Sequence, residues 1–166
     1  APDNYGGITI NKSITIKGKN KDTAILNANK NENNKFTHYI FFVNGDKTVT
    51  LQNLTLTGGI NDNSNGGAIH IGASTHGNTV KMINCIIKDN AATGDGGGVY
   101  IGSNGTFTMD GESSSITGNQ AVEGGAIYID DEGDFYWQKG TITSNGGSNA
   151  VKGDGTFHNN SGNTAN

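Results

Sequence analysis

The sequence predicts an all-β protein: a right-handed parallel β-helix, or solenoid, of about five rungs with three short strands each. Three observations point there. A double-glycine strand opening recurs at near-constant intervals, apolar and polar residues alternate in short runs, and no 3.6-residue helical period occurs anywhere.

The opening occurs as Gly66-Gly67-Ala68-Ile69-His70-Ile71, as Gly97-Gly98-Val99-Tyr100-Ile101 and as Gly124-Gly125-Ala126-Ile127-Tyr128-Ile129. Gly67 to Gly98 spans 31 residues, and Gly98 to Gly125 spans 27. A second strand follows each opening, carrying Val80 and Met82, then Phe107 and Met109, then Phe135 and Trp137. A third carries Cys85 and Ile87, then Ser114 and Ile116, then Gly140 and Ile142. Backward, Val49, Leu51, Leu54 and Leu56 repeat the register after Ile40-Phe41-Phe42. An earlier rung runs through Ile8, Ile10, Ile14, Ile16, Ala24 and Leu26; forward, Gly155-Thr156-Phe157 matches Gly105-Thr106-Phe107.

In a parallel coil each strand pairs with its equivalent one rung on, about 4.8 Å away. The expected inward columns are Ile8–Ile40–Ile69–Val99–Ile127 and Ile16–Leu51–Met82–Met109–Trp137. Asn90, Asn119 and Asn145 fall at one equivalent turn, where side-chain amides can stack as a ladder. The glycine pairs fit a corner that leaves no room for a Cβ. Such a stack has two raw edges. Asn4 leads directly into strand-like sequence, whereas the polar tail from Asn159 to Asn166 can drape over the far end.

Composition agrees. With 27 glycines among 166 residues, 32% hydrophobic and 16% charged, the chain suits one thin-cored, turn-rich domain spanning residues 1–166. It reads as part of a longer protein, as a mature form or an excised fragment. A net charge of −4 and eleven basic residues that are all lysine give no basic footprint for nucleic acid. No apolar run reaches membrane-spanning length, so no membrane insertion is expected of this segment. Cys85 stands alone, so no internal disulfide forms.

The run Thr48-Val49-Thr50-Leu51-Gln52-Asn53-Leu54-Thr55-Leu56-Thr57-Gly58-Gly59, followed by the glycine openings, resembles the repeat region of bacterial surface β-helix proteins. The polymorphic outer-membrane-protein repeat is marked by GGAI and FxxN tetrapeptides. GGAI stands here at Gly66–Ile69 and Gly124–Ile127, with Gly96-Gly97-Gly98-Val99 between them, and FxxN once, at Phe157–Asn160. The opening Gly7–Gly18 is similar to early rungs of pectin-lyase-like β-helices. The resemblance implies a secreted or cell-surface passenger of adhesin type, bacterial or archaeal, meeting glycans or a neighbouring cell surface. The same fold also hosts polysaccharide lyases and hydrolases.

Several groups invite a functional reading. Asp130, Asp131, Glu132 and Asp134 form the densest acidic loop; hard cations want several carboxylate oxygens, so the loop is a candidate calcium site, against the plainer reading of a solvated turn. No other cofactor is expected. Catalysis by paired acids needs carboxylates converging in a cleft, and the acids here scatter over turns, so an enzyme site within these residues is not expected. His38, His70, His76 and His158 have no metal-ligand spacing. With Ile40, Ile69, Val99 and Ile127 inward, Phe41, His70, Tyr100 and Tyr128 form an exterior stripe that stacks on glycan rings or on itself. The outward residues of the second strand, Thr15, Thr50, Lys81, Thr108 and Tyr136, are too interrupted for an ice-binding threonine array. A monomer or end-to-end contacts are expected.

Overall fold

The computed structural model describes residues 7–28, 38–143 and 145–165. The reading of Asn4 therefore lies outside the described residues. No helix occurs among those described. The first rung holds β1 (Ile8–Ile10), β2 (Ile14–Lys17) and β3 (Ile25–Asn27). The second holds β4 (Phe41–Val43), β5 (Thr48–Gln52) and β6 (Thr55–Thr57), followed by the short β7 (Ile60–Asn61). The third holds β8 (Ile69–Ile71), β9 (Thr79–Ile83) and β10 (Ile86–Lys88), followed by β11 (Ala91–Ala92). The fourth holds β12 (Val99–Ile101), β13 (Thr106–Asp110) and β14 (Ser115–Thr117). The fifth holds β15 (Ile127–Ile129), β16 (Asp134–Trp137) and β17 (Thr141–Thr143), and a two-strand sixth holds β18 (Val151–Gly153) and β19 (Thr156–Asn159).

Each strand pairs in parallel with its equivalent one rung away. The chain is thus a parallel β-solenoid with three long sheets: β1-β4-β8-β12-β15-β18, β2-β5-β9-β13-β16-β19 and β3-β6-β10-β14-β17. A right-handed coil is the hand that parallel crossover connections favour.

The alternation seen in the sequence becomes columns. Ile16, Leu51, Met82, Met109 and Trp137 stack in register as expected, the last four fully buried. Leu26, Leu56, Ile87, Ile116 and Ile142 form the matching column of the third sheet. On the first sheet the register corrects one expectation. Phe41, not Ile40, lies between Ile8 and Ile69, and it is 2% exposed. Ile40 is also buried, one residue earlier at the corner, where its N–H donates to the Ala68 carbonyl at 2.9 Å. The run Ile40-Phe41-Phe42-Val43 contains no polar residue, so nothing in it sets the phase of the alternation. The repeat length shifts with it. Ile69 to Val99 is 30 residues and Val99 to Ile127 is 28, so Gly98 stands with Ala68 and Ala126 rather than with Gly67.

The glycine corner follows. Gly66, Gly96 and Gly124 hold φ of +77°, +71° and +59°, where an added Cβ would meet the carbonyl oxygen three residues on within 2.6 Å. Beside the third sheet the asparagine ladder is present. Asn90 Nδ2 donates to Asn119 Oδ1 at 2.9 Å, and Asn119 Nδ2 donates to Asn145 Oδ1 at 3.0 Å. The Gly59 N–H joins it by donating to Asn90 Oδ1 at 2.9 Å. No buried side-chain nitrogen or oxygen among the described residues lacks a hydrogen-bond partner. At the C-terminal end the tail does fold over the last rung: Asn163 Nδ2 donates to the Gly140 carbonyl at 3.1 Å, and Ala165 packs on the core.

Candidate functional site

Functional groups on such a rod must project from its sides, because the interior is a closed apolar stack. The aromatic stripe belongs to the outer face of the first sheet. The register puts Phe42, His70, Tyr100 and Tyr128 in one outward column, so Phe42 takes the place expected of the buried Phe41. Phe42 meets His70 edge-on at 5.2 Å between centroids, and His70 lies 4.9 Å from Tyr100. Tyr100 and Tyr128 stack 5.8 Å apart with planes 6° off parallel. Within the stripe Tyr100 and Tyr128 turn their faces to one another, whereas His70 is tilted 49° to Tyr100 and edge-on to Phe42. Between Tyr100 and Tyr128 one ring face of each is thereby covered by the neighbouring rung.

Two members of the stripe are further tied down. His70 Nδ1 lies 2.9 Å from the Asn65 carbonyl, and since a carbonyl only accepts, Nδ1 carries the proton. Burial pushes the His70 pKa below its ordinary value. The Tyr100 hydroxyl donates to Asp130 Oδ2 at 2.8 Å. Burial first, and then that carboxylate, raise the Tyr100 pKa well above the usual phenol range.

The acidic loop does not gather its carboxylates. Asp130 accepts from Tyr100 with one oxygen and from the Asp131 N–H, at 3.0 Å, with the other. Asp134 Oδ1 sits 3.0 Å from His158 Nε2, on the outer face of the second sheet, while Asp131 and Glu132 are exposed. Glu132 takes φ of +59°, which closes the turn so that the Gly133 N–H donates back to the Asp130 carbonyl at 2.9 Å. Among the described residues no three His, Cys, Asp or Glu side chains are grouped so as to hold a metal ion. The four acids expected to share calcium are thus divided between the two sheet faces and solvent.

Cys85 is buried, its thiol 3.3 Å from the Ile83 carbonyl oxygen, and burial raises its pKa, so it serves as a small apolar residue. The remaining histidines stay apart. His76 faces Asp46 at 3.3 Å on an exposed corner, and His158 stacks on Tyr136 at 4.2 Å.

One arrangement was missed by reading single columns of the sequence. On the second sheet Thr48, Thr79 and Thr106 form an outward column beside that of Thr15, Thr50, Lys81 and Thr108. The signal was present as Thr48-Val49-Thr50 and Thr106-Phe107-Thr108, two residues apart on one strand and therefore on one face. Lys81 Nζ lies 3.3 Å from Asp110 Oδ2. The Gly111 N–H and then Lys81 hold the Asp110 carboxyl below its ordinary pKa.

Comparison with protein-family models, with curated proteins and with solved structures finds no match to this chain.

Proposed function

We propose that this chain is a non-catalytic β-solenoid rod acting outside the cell or at its surface, as an adhesin-like or structural passenger segment. The observation that carries the reading is the self-sufficiency of the stack. Apolar columns run through every rung, and an amide ladder holds the third corner. The side faces are left regular and free to be presented to a neighbouring surface. The GGAI and FxxN motifs support the same address, since they resemble repeats of bacterial surface proteins. The partner expected is a glycan or a host or neighbouring cell surface.

The second reading is the partial body of a polysaccharide lyase or hydrolase, or a carbohydrate-binding module. Its support is that Asp110 and Asp134 both stand on the outer face of the second sheet. Each already has a basic partner, Lys81 and His158 respectively. A general acid needs a carboxyl held near the operating pH, and Asp110 is held the other way.

The test is adhesion of beads coated with the purified rod to bacterial and epithelial cell surfaces, run beside a product assay on a polysaccharide panel. Adhesion without product is the expected result. Release of oligosaccharides would replace this reading with the enzymatic one.

A further inference from the structure

We propose that this chain associates end to end, the first rung of one copy docking in register on the last rung of a second. In that joint β1 lies beside β18 and β2 beside β19, so copies join head to tail into an open filament. The inference stands whatever the side faces of the rod bind.

The ends of the apolar columns carry it. The inward column of the first sheet runs Ile8–Phe41–Ile69–Val99–Ile127–Val151. That of the second sheet runs Ile14–Val49–Val80–Phe107–Phe135–Phe157. Every middle member is buried, whereas Ile8, Ile14 and Phe157 are 58%, 47% and 40% exposed. Among the described residues β1 and β2 pair on one side only, as do β18 and β19, so backbone N–H and C=O groups face outward at both ends. Docking a last rung on a first rung continues both columns at the ordinary strand spacing of about 4.8 Å. Val151 then meets Ile8, and Phe157 meets Ile14. The tail does not stand in the way: it lies over Gly140, at the start of β17, and leaves Phe157 exposed.

Two further observations select a second copy as the occupant. The first is length. Between the two inward columns, Ile8 to Ile14 is six residues and Val151 to Phe157 is six. The same corner takes eight residues from Phe41 to Val49, eleven from Ile69 to Val80, eight from Val99 to Phe107 and eight from Ile127 to Phe135. The two end rungs thus match each other at this corner and no rung between them.

The second is charge. The first rung, residues 7–28, carries four lysines against one aspartate, and residues 123–165 carry six acids against two lysines. Lys21 is paired with Asp22 at 2.7 Å, while Lys12, Lys17 and Lys19 are exposed. Opposite charges meet when copies join head to tail, and like charges would meet if two first rungs or two last rungs faced each other. In register, the turn bearing Lys12 comes over the turn bearing the exposed Asp154. Such a joint uses different surfaces on its two sides and does not close, so it propagates.

The experiment is sedimentation velocity of the purified chain from micromolar to near-millimolar concentration. Expected is a series of oligomers that lengthens with concentration. Ile8→Lys/Ile14→Lys blocks the first rung and Phe157→Lys blocks the last. Each variant alone should stay monomeric, and an equimolar mixture of the two should form a dimer and nothing larger. Lys12→Asp should weaken association about fivefold, and Lys12→Asp/Asp154→Lys should regain it. Circular dichroism checks folding; Lys12 and Asp154 are both exposed, so their exchange carries the test if a blocked variant does not fold. A wild type that stays monomeric throughout overturns the proposal, as does an exchange that fails to restore association. Dimers of Phe157→Lys alone would mean first rung on first rung, dimers of Ile8→Lys/Ile14→Lys alone last rung on last, and either result overturns it too.

Discussion

At Phe41 and Phe42 a single step of register separates a core ring from a surface ring. Phe41 sits in the inward column against Ile8 and Ile69, so Phe41→Ala should cost about 3–5 kcal/mol in denaturant unfolding. Phe42 sits outward against His70, and its removal should cost about 1 kcal/mol. Equal costs would contradict the register. The distinction was not legible because four apolar residues in a row, Ile40 to Val43, carry no alternation, whereas Ile69-His70-Ile71 and Val99-Tyr100-Ile101 reveal theirs at sight. His70 shows what an outward position means when neighbours cover it. Burial lowers its folded pKa below the unfolded value, so the unfolded chain binds the proton more readily. Stability tied to His70 is therefore complete above pH about 6.5 and is lost as pH falls through the folded pKa. Melting temperature should drop as pH falls below about 6.5. His70→Phe should flatten the drop, and an unchanged profile in that variant would remove His70 as its source.

The asparagine ladder and the glycine corner were both visible in the sequence, because each recurs at the same place in successive rungs. Asn119 is the centre of the ladder, accepting from the Asn90 N–H and Nδ2 and donating to Asn145 Oδ1 and the Ile87 carbonyl. Asn119→Ala should leave buried partners without a bond, at about 1–3 kcal/mol for each group that water cannot reach. Thermal unfolding measures the total, and Asn145→Ala, nearer the last rung, should cost less. The acidic loop was less legible for the opposite reason. It occurs once, so no repeat tells which way its side chains point. Their directions are set by a turn with Glu132 at φ +59° and by a phenol one rung back that takes Asp130. The threonine face lay between these cases. Its columns recur in the sequence, but seeing them requires two positions per strand to be read together.

Across the whole molecule the inward columns hold register while the spacing between rungs does not. Ile8 to Phe41 is 33 residues, Phe41 to Ile69 is 28, Ile69 to Val99 is 30 and Ile127 to Val151 is 24. The differences fall in the connections between strands, and each rung touches only the rungs beside it. Inserting six residues between Asp62 and Asn63, an exposed stretch, should therefore act only through loop closure. That amounts to about 0.6 kcal/mol, or a fall of about 2 °C in Tm. A cooperative loss of several degrees would show that the connection is part of the packed body. Unequal spacing over a constant stack makes the chain a rack with fixed shelves and adjustable brackets. A foreign peptide hung from the 62–63 connection would be carried at a height along the rod set by the shelf it leaves, and moving it to the equivalent connection of the next rung would shift it by one strand spacing, about 4.8 Å.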